Sequence, residues 1–350
     1  MIRINHAILH VFDFETGSAY LSDEELPLNE RQTKSYVQRH LRRITASAES
    51  RHAEFAEGSL FAEQLAAYLA GENDFLGISV QVAQWFWEEL RRADSVEQAD
   101  LLVADFEDTG EVKVDGRLSE GEIAAQLDAA ATSWFAVIVL PRRVSFVHDV
   151  EGAGNAILRH DAMLPNPTQK VASYLLVRAD TLAIEFSDKP RLIGGREVNV
   201  IADDFLKCHS TPSGREVVSA VTEIVEEVAE EFGLRPAMEV SRAKAALVRV
   251  ADVEQTVTPL EVGREVFAER PEVRERFEQA VHEQRLPEEV SVRRGTANRL
   301  ARKHKIVTDT GVEITFPAEL AERPGYIEFI EEADGRLTIQ VSNVAHIENR

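Results

Sequence analysis

Apolar residues recur along this chain with two different periods, and the changes of period mark its elements. Residues 2–12 alternate, with Ile2, Ile4, Ile8 and Phe12 on one face, which predicts a strand. Tyr20 and Leu21 predict a short return strand. From about Asn29 to Ile44 the period becomes helical: Tyr36, Val37, Leu41 and Ile44 share one side, and Arg31, Lys34, Arg39, Arg42 and Arg43 take the other. Leu60, Phe61, Leu65, Tyr68 and Leu69 predict a second amphipathic helix, and Ile78, Val82, Trp85, Phe86 and Leu90 a third. The middle of the chain then reads as β. Asp100–Asp108 predicts a strand and Glu120–Ala131 a helix. Trp134–Leu140, Val144–His148, Asn155–Leu158, Val171–Arg178 and Thr181–Phe186 predict further strands of one sheet. Pro141-Arg142-Arg143 is a turn signal, and Leu164-Pro165-Asn166-Pro167 a loop.

The pattern shifts near residue 210. Ser213 followed by Glu216 is a capping box, and the helix beyond it carries Val217, Val218, Val221, Ile224, Val225, Val228 and Phe232 on one stripe. Glu223, Glu226, Glu227, Glu230 and Glu231 lie mainly off that stripe, and Gly233 ends the helix. Val240, Ala243, Leu247 and Val250 predict another helix. Thr258-Pro259 opens a third, and Pro271 precedes a short one bearing Val273, Phe277 and Val281. Two hairpins follow: Ile306–Thr308 with Val312–Phe316, and Tyr326–Ile330 with Leu337–Val341 around Asp334-Gly335. The expected fold is α+β. Residues 1–210 form a mixed or antiparallel sheet with helices, and residues 211–350 a helical domain ending in β-hairpins.

Composition narrows the class. Of 350 residues, 44% are hydrophobic and 29% charged, which are globular proportions that leave no room for extensive disorder. The single cysteine, Cys208, excludes a disulfide framework. No apolar run approaches the ~20 residues that cross a bilayer, and the first residues carry no signal-peptide core, so a cytoplasmic protein is expected. The formal net charge of −22 changes the picture most. So acidic a surface repels phosphate at long range, and nucleic acid can be met only through a local cationic patch or through a partner.

Two such patches stand out. Between Val292 and Lys305, the residues Arg293, Arg294, Arg299, Arg302, Lys303 and Lys305 occur without a carboxylate among them. In a helix Arg299 and Arg302 would lie one turn apart, with Lys303 beside them. The helix bearing Arg39, Arg42 and Arg43 is the second patch. A cationic ridge of this kind neutralises phosphates without reading bases. The bland alternative is pairing with the plentiful glutamates, or an ordinary solvated face.

A family resemblance rests on ordered motifs. His304-Lys305-Ile306-Val307-Thr308-Asp309-Thr310-Gly311-Val312-Glu313-Ile314, then Phe316-Pro317, is similar to the C-terminal signature of bacterial nucleoid-associated proteins of the NdpA type. Ile327-Glu328-Phe329-Ile330, Asp334-Gly335 and Leu337-Thr338-Ile339-Gln340-Val341 continue that pattern. Ala7–Asp13 resembles the family's N-terminal strand, and Met163–Lys170 its central proline loop. The resemblance implies a non-catalytic nucleoid protein that associates with double-stranded DNA, directly or through topoisomerase-type proteins. No catalytic residues, metal or cofactor come with it, and paired patches favour a homodimer.

Other chemistry has thinner support. Asp13 and Glu15 share a strand face at the spacing of the first motif of two-metal exonucleases, which makes a metal-dependent nuclease an alternative. The plain reading is a turn formed by Asp13, Thr16 and Gly17. His6 and His10 lie about 13 Å apart along a strand, too far to share a metal. Cys208-His209 has no second cysteine, Gly194-Gly195 reads as a turn, and Trp85 and Phe86 read as core. An acidic protein-interaction adaptor, or a DNA mimic, is the remaining alternative.

Overall fold

The computed structural model describes all residues except Val96, 111–125, 127–128, 150–155, His209, Gln255, 292–300, Arg302, Glu322, Pro324, 333–335 and 347–350. The chain divides into two compact units, Met1–Thr211 and Pro212–Arg350. The class is α+β, with one large antiparallel sheet, several helices and C-terminal hairpins.

The first unit starts with β1 (Ile2–Asp13), which turns back into β2 (Ser18–Tyr20). Helix α1 (Arg31–Thr45), β3 (Arg51–Ala53), α2 (Leu60–Leu69) and α3 (Phe75–Leu90) follow. The long strands β4 (Ala99–Asp108) and β5 (Thr132–Pro141) come next. Then come β6 (Arg143–Asp149), β7 (Ala156–Met163), β8 (Ser173–Arg178) and β9 (Ile184–Ser187). A tight hairpin of β10 (Arg191–Ile193) and β11 (Arg196–Val198), a π-helical turn at Val200–Leu206 and β12 (Ser210–Thr211) complete the unit.

Eight strands form one sheet in the order β12-β3-β9-β8-β5-β4-β1-β2, every neighbouring pair antiparallel. Both faces are covered. Helices α2 and α3 and the π-helical turn bury one face, where Phe61, Val82, Phe86 and Ile201 meet Phe12, Val103, Phe135 and Leu175. Helix α1 buries the other, where Val37, Leu41 and Ile44 meet Phe106, Ala136 and Leu176. A strand with helices on both sides has no polar face, which explains why Trp134–Leu140 is an unbroken apolar run.

Two strand expectations need correction. Ile2 and Ile4 do not share a face with Ile8 and Phe12. A β-bulge between Ile4 and His6 inserts one residue, so Ile2 and Ile4 face α1 while Ile8 and Phe12 face α2 and α3. The apolar segments at β6 and β7 do not join the main sheet. Among the described residues they pair with each other, as a separate two-stranded ribbon. The helix expected at Glu120–Ala131 lies largely outside the described residues.

The second unit opens with α4 (Gly214–Glu231), capped as the sequence predicts. The Ser213 hydroxyl accepts from the Glu216 amide at 3.2 Å, and the Glu216 carboxylate accepts from the Ser213 amide at 2.8 Å. Helix α5 (Pro236–Glu254), β13 (Thr256–Val257), α6 (Pro259–Val266), α7 (Pro271–Glu283) and β14 (Val290–Ser291) follow. The valine stripe of α4 is the core of this unit, packed on Val240, Leu247, Phe267 and Phe277. Two hairpins end the unit: β15 (Lys303–Val307) with β16 (Glu313–Pro317), and β17 (Ile327–Glu331) with β18 (Leu337–Val341).

Candidate nucleic-acid interface

Helix α1 is built to show one cationic side. Its fifteen residues contain no carboxylate, and its apolar side is fixed against the sheet by Val37, Leu41 and Ile44. Polar clamps hold the same side. The Gln38 side chain donates to the Ile2 carbonyl at 2.9 Å, and the Tyr36 hydroxyl donates to the Pro165 carbonyl at 3.0 Å. The proline loop, one of the stretches that carry the family resemblance, and the start of β1 therefore seat this helix.

With that side fixed, Arg31, Lys34, Arg39, Arg42 and Arg43 are exposed. Among the described residues no carboxylate lies within ion-pairing distance of any of the five. Arg42 and Arg43 occupy the last turn, where cations also interact favourably with the helix dipole. From Arg31 to Arg43 the row extends about 18 Å along the axis at 1.5 Å per residue. Most other described cations have neutralising neighbours. Arg178 pairs with Asp180, Lys189 with Glu97, Arg191 with Asp188 and Arg276 with Glu231.

The second predicted patch divides. Arg293, Arg294, Arg299 and Arg302 lie outside the described residues. Lys303 and Lys305 are described, and the helical reading of Lys303 is corrected: it opens β15. Both lysines are exposed on one side of that strand, and His304 between them points inward. Lys305 lies 2.9 Å from Glu313 across the hairpin, so its charge is partly spent.

The acidic and nucleophilic side chains have other work. One Asp13 carboxylate oxygen accepts from the amides of Glu15 and Thr16 at 3.1 and 3.2 Å, and from the Gln98 side chain at 3.2 Å. The Thr16 side chain first, and then these bonds, hold the Asp13 pKa below the usual carboxylate range. The geometry is the turn, with Gly17 at positive φ behind it. Among the described residues no group of three or more His, Cys, Asp or Glu side chains is placed to hold a metal ion. His6 stacks on Phe75 and faces Glu25 at 3.0 Å, while His10 is buried and accepts from the Ser22 amide. Burial raises the Cys208 thiol pKa, which favours the unreactive protonated form. Gly194 and Gly195 form the β10–β11 turn, and their amides donate to Asp94 at 2.9 and 2.8 Å.

Sequence reasoning missed one polar centre. Arg142, in the predicted turn after β5, is folded inward. It donates to the Phe12 carbonyl at 2.8 Å and to Gln98 at 3.0 Å, and its Nε lies 3.0 Å from Asp100. That last contact is side by side, an ion pair without a well-directed hydrogen bond. Burial outweighs the arginine's influence and raises the Asp100 pKa to about 6. Asp100 alternates with apolar neighbours in β4, and that placement was the available signal.

Among the described residues, fold and surface define an α+β chain of net charge −22 in which α1 bears a row of cations without carboxylate partners; no described helix is long and apolar enough to span a bilayer. The chain belongs to the family of the nucleoid-associated protein YejK, whose sequence pattern matches residues 8–346. None of the curated proteins compared with the chain matches it.

Proposed function

We propose that this chain is a non-catalytic protein of the bacterial cytoplasm and nucleoid that holds double-stranded DNA, largely without reading sequence, through the cationic side of α1. The observation that carries this reading is the row Arg31, Lys34, Arg39, Arg42 and Arg43, unneutralised in a chain of net charge −22. The excess negative charge of the chain disfavours phosphate at most approaches, so a row of unpaired cations is where a duplex is drawn in. About five phosphate contacts give a slope near −4.5 for log affinity against log salt, or roughly a 500-fold loss between about 50 and 200 mM salt. Fluorescence anisotropy on two duplexes of unrelated sequence measures both slope and preference. The triple variant Arg39→Glu, Arg42→Glu, Arg43→Glu should bind neither. Parent-like binding by that variant would remove α1 from the interface. Loss of binding in Arg299→Glu, Arg302→Glu, Lys303→Glu instead would move it to the basic segment.

The absence of catalysis is part of the same proposal, supported by the engagement of the Asp13 carboxylate in its turn. Labelled duplex kept with magnesium or manganese should stay intact. Cleavage that disappears in Asp13→Ala would establish the nuclease alternative.

A second reading is favoured by the outer side of α4, where Glu223, Glu227 and Glu230 are exposed carboxylates. That row suits a basic protein surface, and it supports an adaptor role toward topoisomerase-type proteins. Partners retained from nuclease-treated lysate would support it. We also propose a homodimer, because two copies of α1 on one duplex multiply affinity through effective concentration.

A further inference from the structure

A cavity of about 290 Å³ lies in the first unit, beside the end of α3 and against the β10–β11 hairpin. Its walls are mostly apolar, with Phe14, Leu90, Val139, Pro141 and Leu192 among them. The volume is near the lower end of the ~300–1,000 Å³ of small-molecule sites, and about twice the ~150 Å³ that encloses a benzene ring. The hairpin side of the cavity is fastened to the chain that follows α3. The Asp94 amide donates to the Leu192 carbonyl at 2.8 Å, and the Asp94 carboxylate accepts from the amides of Gly194 and Gly195.

One part of the wall is polar. Arg191 lines the cavity, and its side chain is 17% exposed. Nη1 donates to Asp188 at 3.0 Å and to the Lys189 carbonyl at 2.9 Å, and Nη2 donates to the Ser173 hydroxyl at 3.3 Å. A guanidinium has five N–H donors, so three are used. Among the described residues nothing accepts from the other two, one on Nη2 and one on Nε. The other charged groups nearby are matched. Lys189 at the rim donates to both Glu97 oxygens at 2.8 and 2.9 Å. Asp188 also accepts from the Ser173 hydroxyl at 2.9 Å and from the Ile201 amide at 2.7 Å.

We infer that this cavity binds a small organic monocarboxylate, whose apolar body fills the pocket between α3 and the hairpin while its carboxylate takes the two open donors of Arg191. Nε and Nη2 are neighbours on one guanidinium, at the spacing that the two oxygens of a planar carboxylate match. A doubly charged phosphate suits the site less, because one guanidinium already shared with Asp188 is the only cation with donors left there among the described residues. A carboxylate without an apolar body would leave the walls uncovered. Water can satisfy the arginine, yet the apolar walls beyond it offer water no partners. A neutral apolar molecule would displace that water and strand the two donors, which costs free energy in a half-buried site.

The test titrates the full-length chain by calorimetry with straight-chain acids from hexanoate to decanoate and aromatic acids from benzoate to naphthoate. Octanol and naphthol supply the body without the anion, and acetate the anion without the body. At least one of the acids should bind with one site per chain. The matching alcohol should bind about tenfold more weakly or worse, and acetate should give no measurable heat. Arg191→Lys keeps a cation beside Asp188 but loses the fork, and should weaken the acid about tenfold while leaving the alcohol unchanged. Ala172→Trp, at an exposed position on the cavity wall, should fill the opening and abolish binding at the parent's thermal midpoint. Should that variant melt early, Ser95→Trp on the same wall, also exposed, replaces it. A series with no binder would overturn the inference. Binding that survives the tryptophan variants would place the ligand outside this cavity and overturn it equally. An alcohol that binds as tightly as its acid, or an acid indifferent to Arg191→Lys, would overturn the role of the arginine and with it the carboxylate class.

Discussion

Acid should unfold the two units by different amounts, because three histidines are sealed in their cores. His10 and His40 are fully buried in the first unit, and His304 is 4% exposed in the second. Nε2 of His10 and both ring nitrogens of His40 and His304 lack a well-placed hydrogen-bond partner. Burial lowers each pKa to about 4, and Arg43 beside His40 and Lys244 beside His304 act in the same direction. The folded pKa lies below the unfolded value of 6.5. Each histidine's contribution is therefore complete above 6.5 and is lost as pH falls toward 4. At 1.36 kcal/mol per pKa unit, the loss from pH 7 to pH 5 is about 2 kcal/mol per histidine. The first unit thus loses about 4 kcal/mol. It regains about 1 kcal/mol because Asp100, with its pKa raised to about 6, is costly when ionised and becomes protonated over the same range. Asp188, also raised by burial, has the same sign. The second unit loses about 2 kcal/mol. All three tryptophans, Trp85, Trp87 and Trp134, lie in the first unit, so tryptophan fluorescence follows its unfolding in urea separately from the whole-chain circular dichroism. The variant His40→Phe should reduce the pH 7-to-5 decrease of the first unit by about 2 kcal/mol. A variant with the parent's pH dependence would show that His40 titrates normally and that the burial argument fails.

Other perturbations have opposite or larger expected effects. Gly263→Ala in α6 would ordinarily gain about 1 kcal/mol of helix propensity. Here the added methyl would sit 2.1 Å from Cδ1 of Phe277, so the variant should lose about 1–3 kcal/mol by chemical denaturation, less when combined with Phe277→Leu. Arg142→Met leaves Asp100 buried and unpaired. It should cost about 3–5 kcal/mol at pH 8, with much of the loss recovered in the double variant with Asp100→Asn. Ser213→Ala removes the capping box of α4 and should lower the urea midpoint of the second unit by an amount equal to about 1 kcal/mol.

What the sequence discloses depends on whether one local rule decides the outcome. Helix α4 was legible because its stripe, its Ser213–Glu216 box and Gly233 all agree. Strand β5 was legible because an unbroken apolar run of seven residues fits a strand covered on both faces. Strand β1 misled because the bulge after Ile4 reverses the face of every later side chain, and alternation alone cannot reveal an inserted residue. The β6 and β7 segments misled because an apolar strand reads the same in a sheet core and in an exposed ribbon. The cationic side of α1 followed from helical spacing. Its freedom from carboxylate partners did not, since pairing depends on tertiary neighbours rather than on spacing. Arg142 looked like a turn residue because nothing local announces that a side chain will fold back over β1 and β4.

The main sheet ends in strands too short to recruit a neighbour: β2 has three residues and β12 two. β2 covers only Val11–Asp13 of β1, and beyond it the chain's own loop and α1 take over: the Leu26 amide donates to the Ala7 carbonyl at 2.8 Å, the Ser22 hydroxyl to the Leu9 carbonyl at 2.5 Å and the Gln38 side chain to the Ile2 carbonyl at 2.9 Å. A margin closed by the chain's own loop and helix leaves few backbone groups for a further strand to add to, which guards the sheet against open-ended assembly.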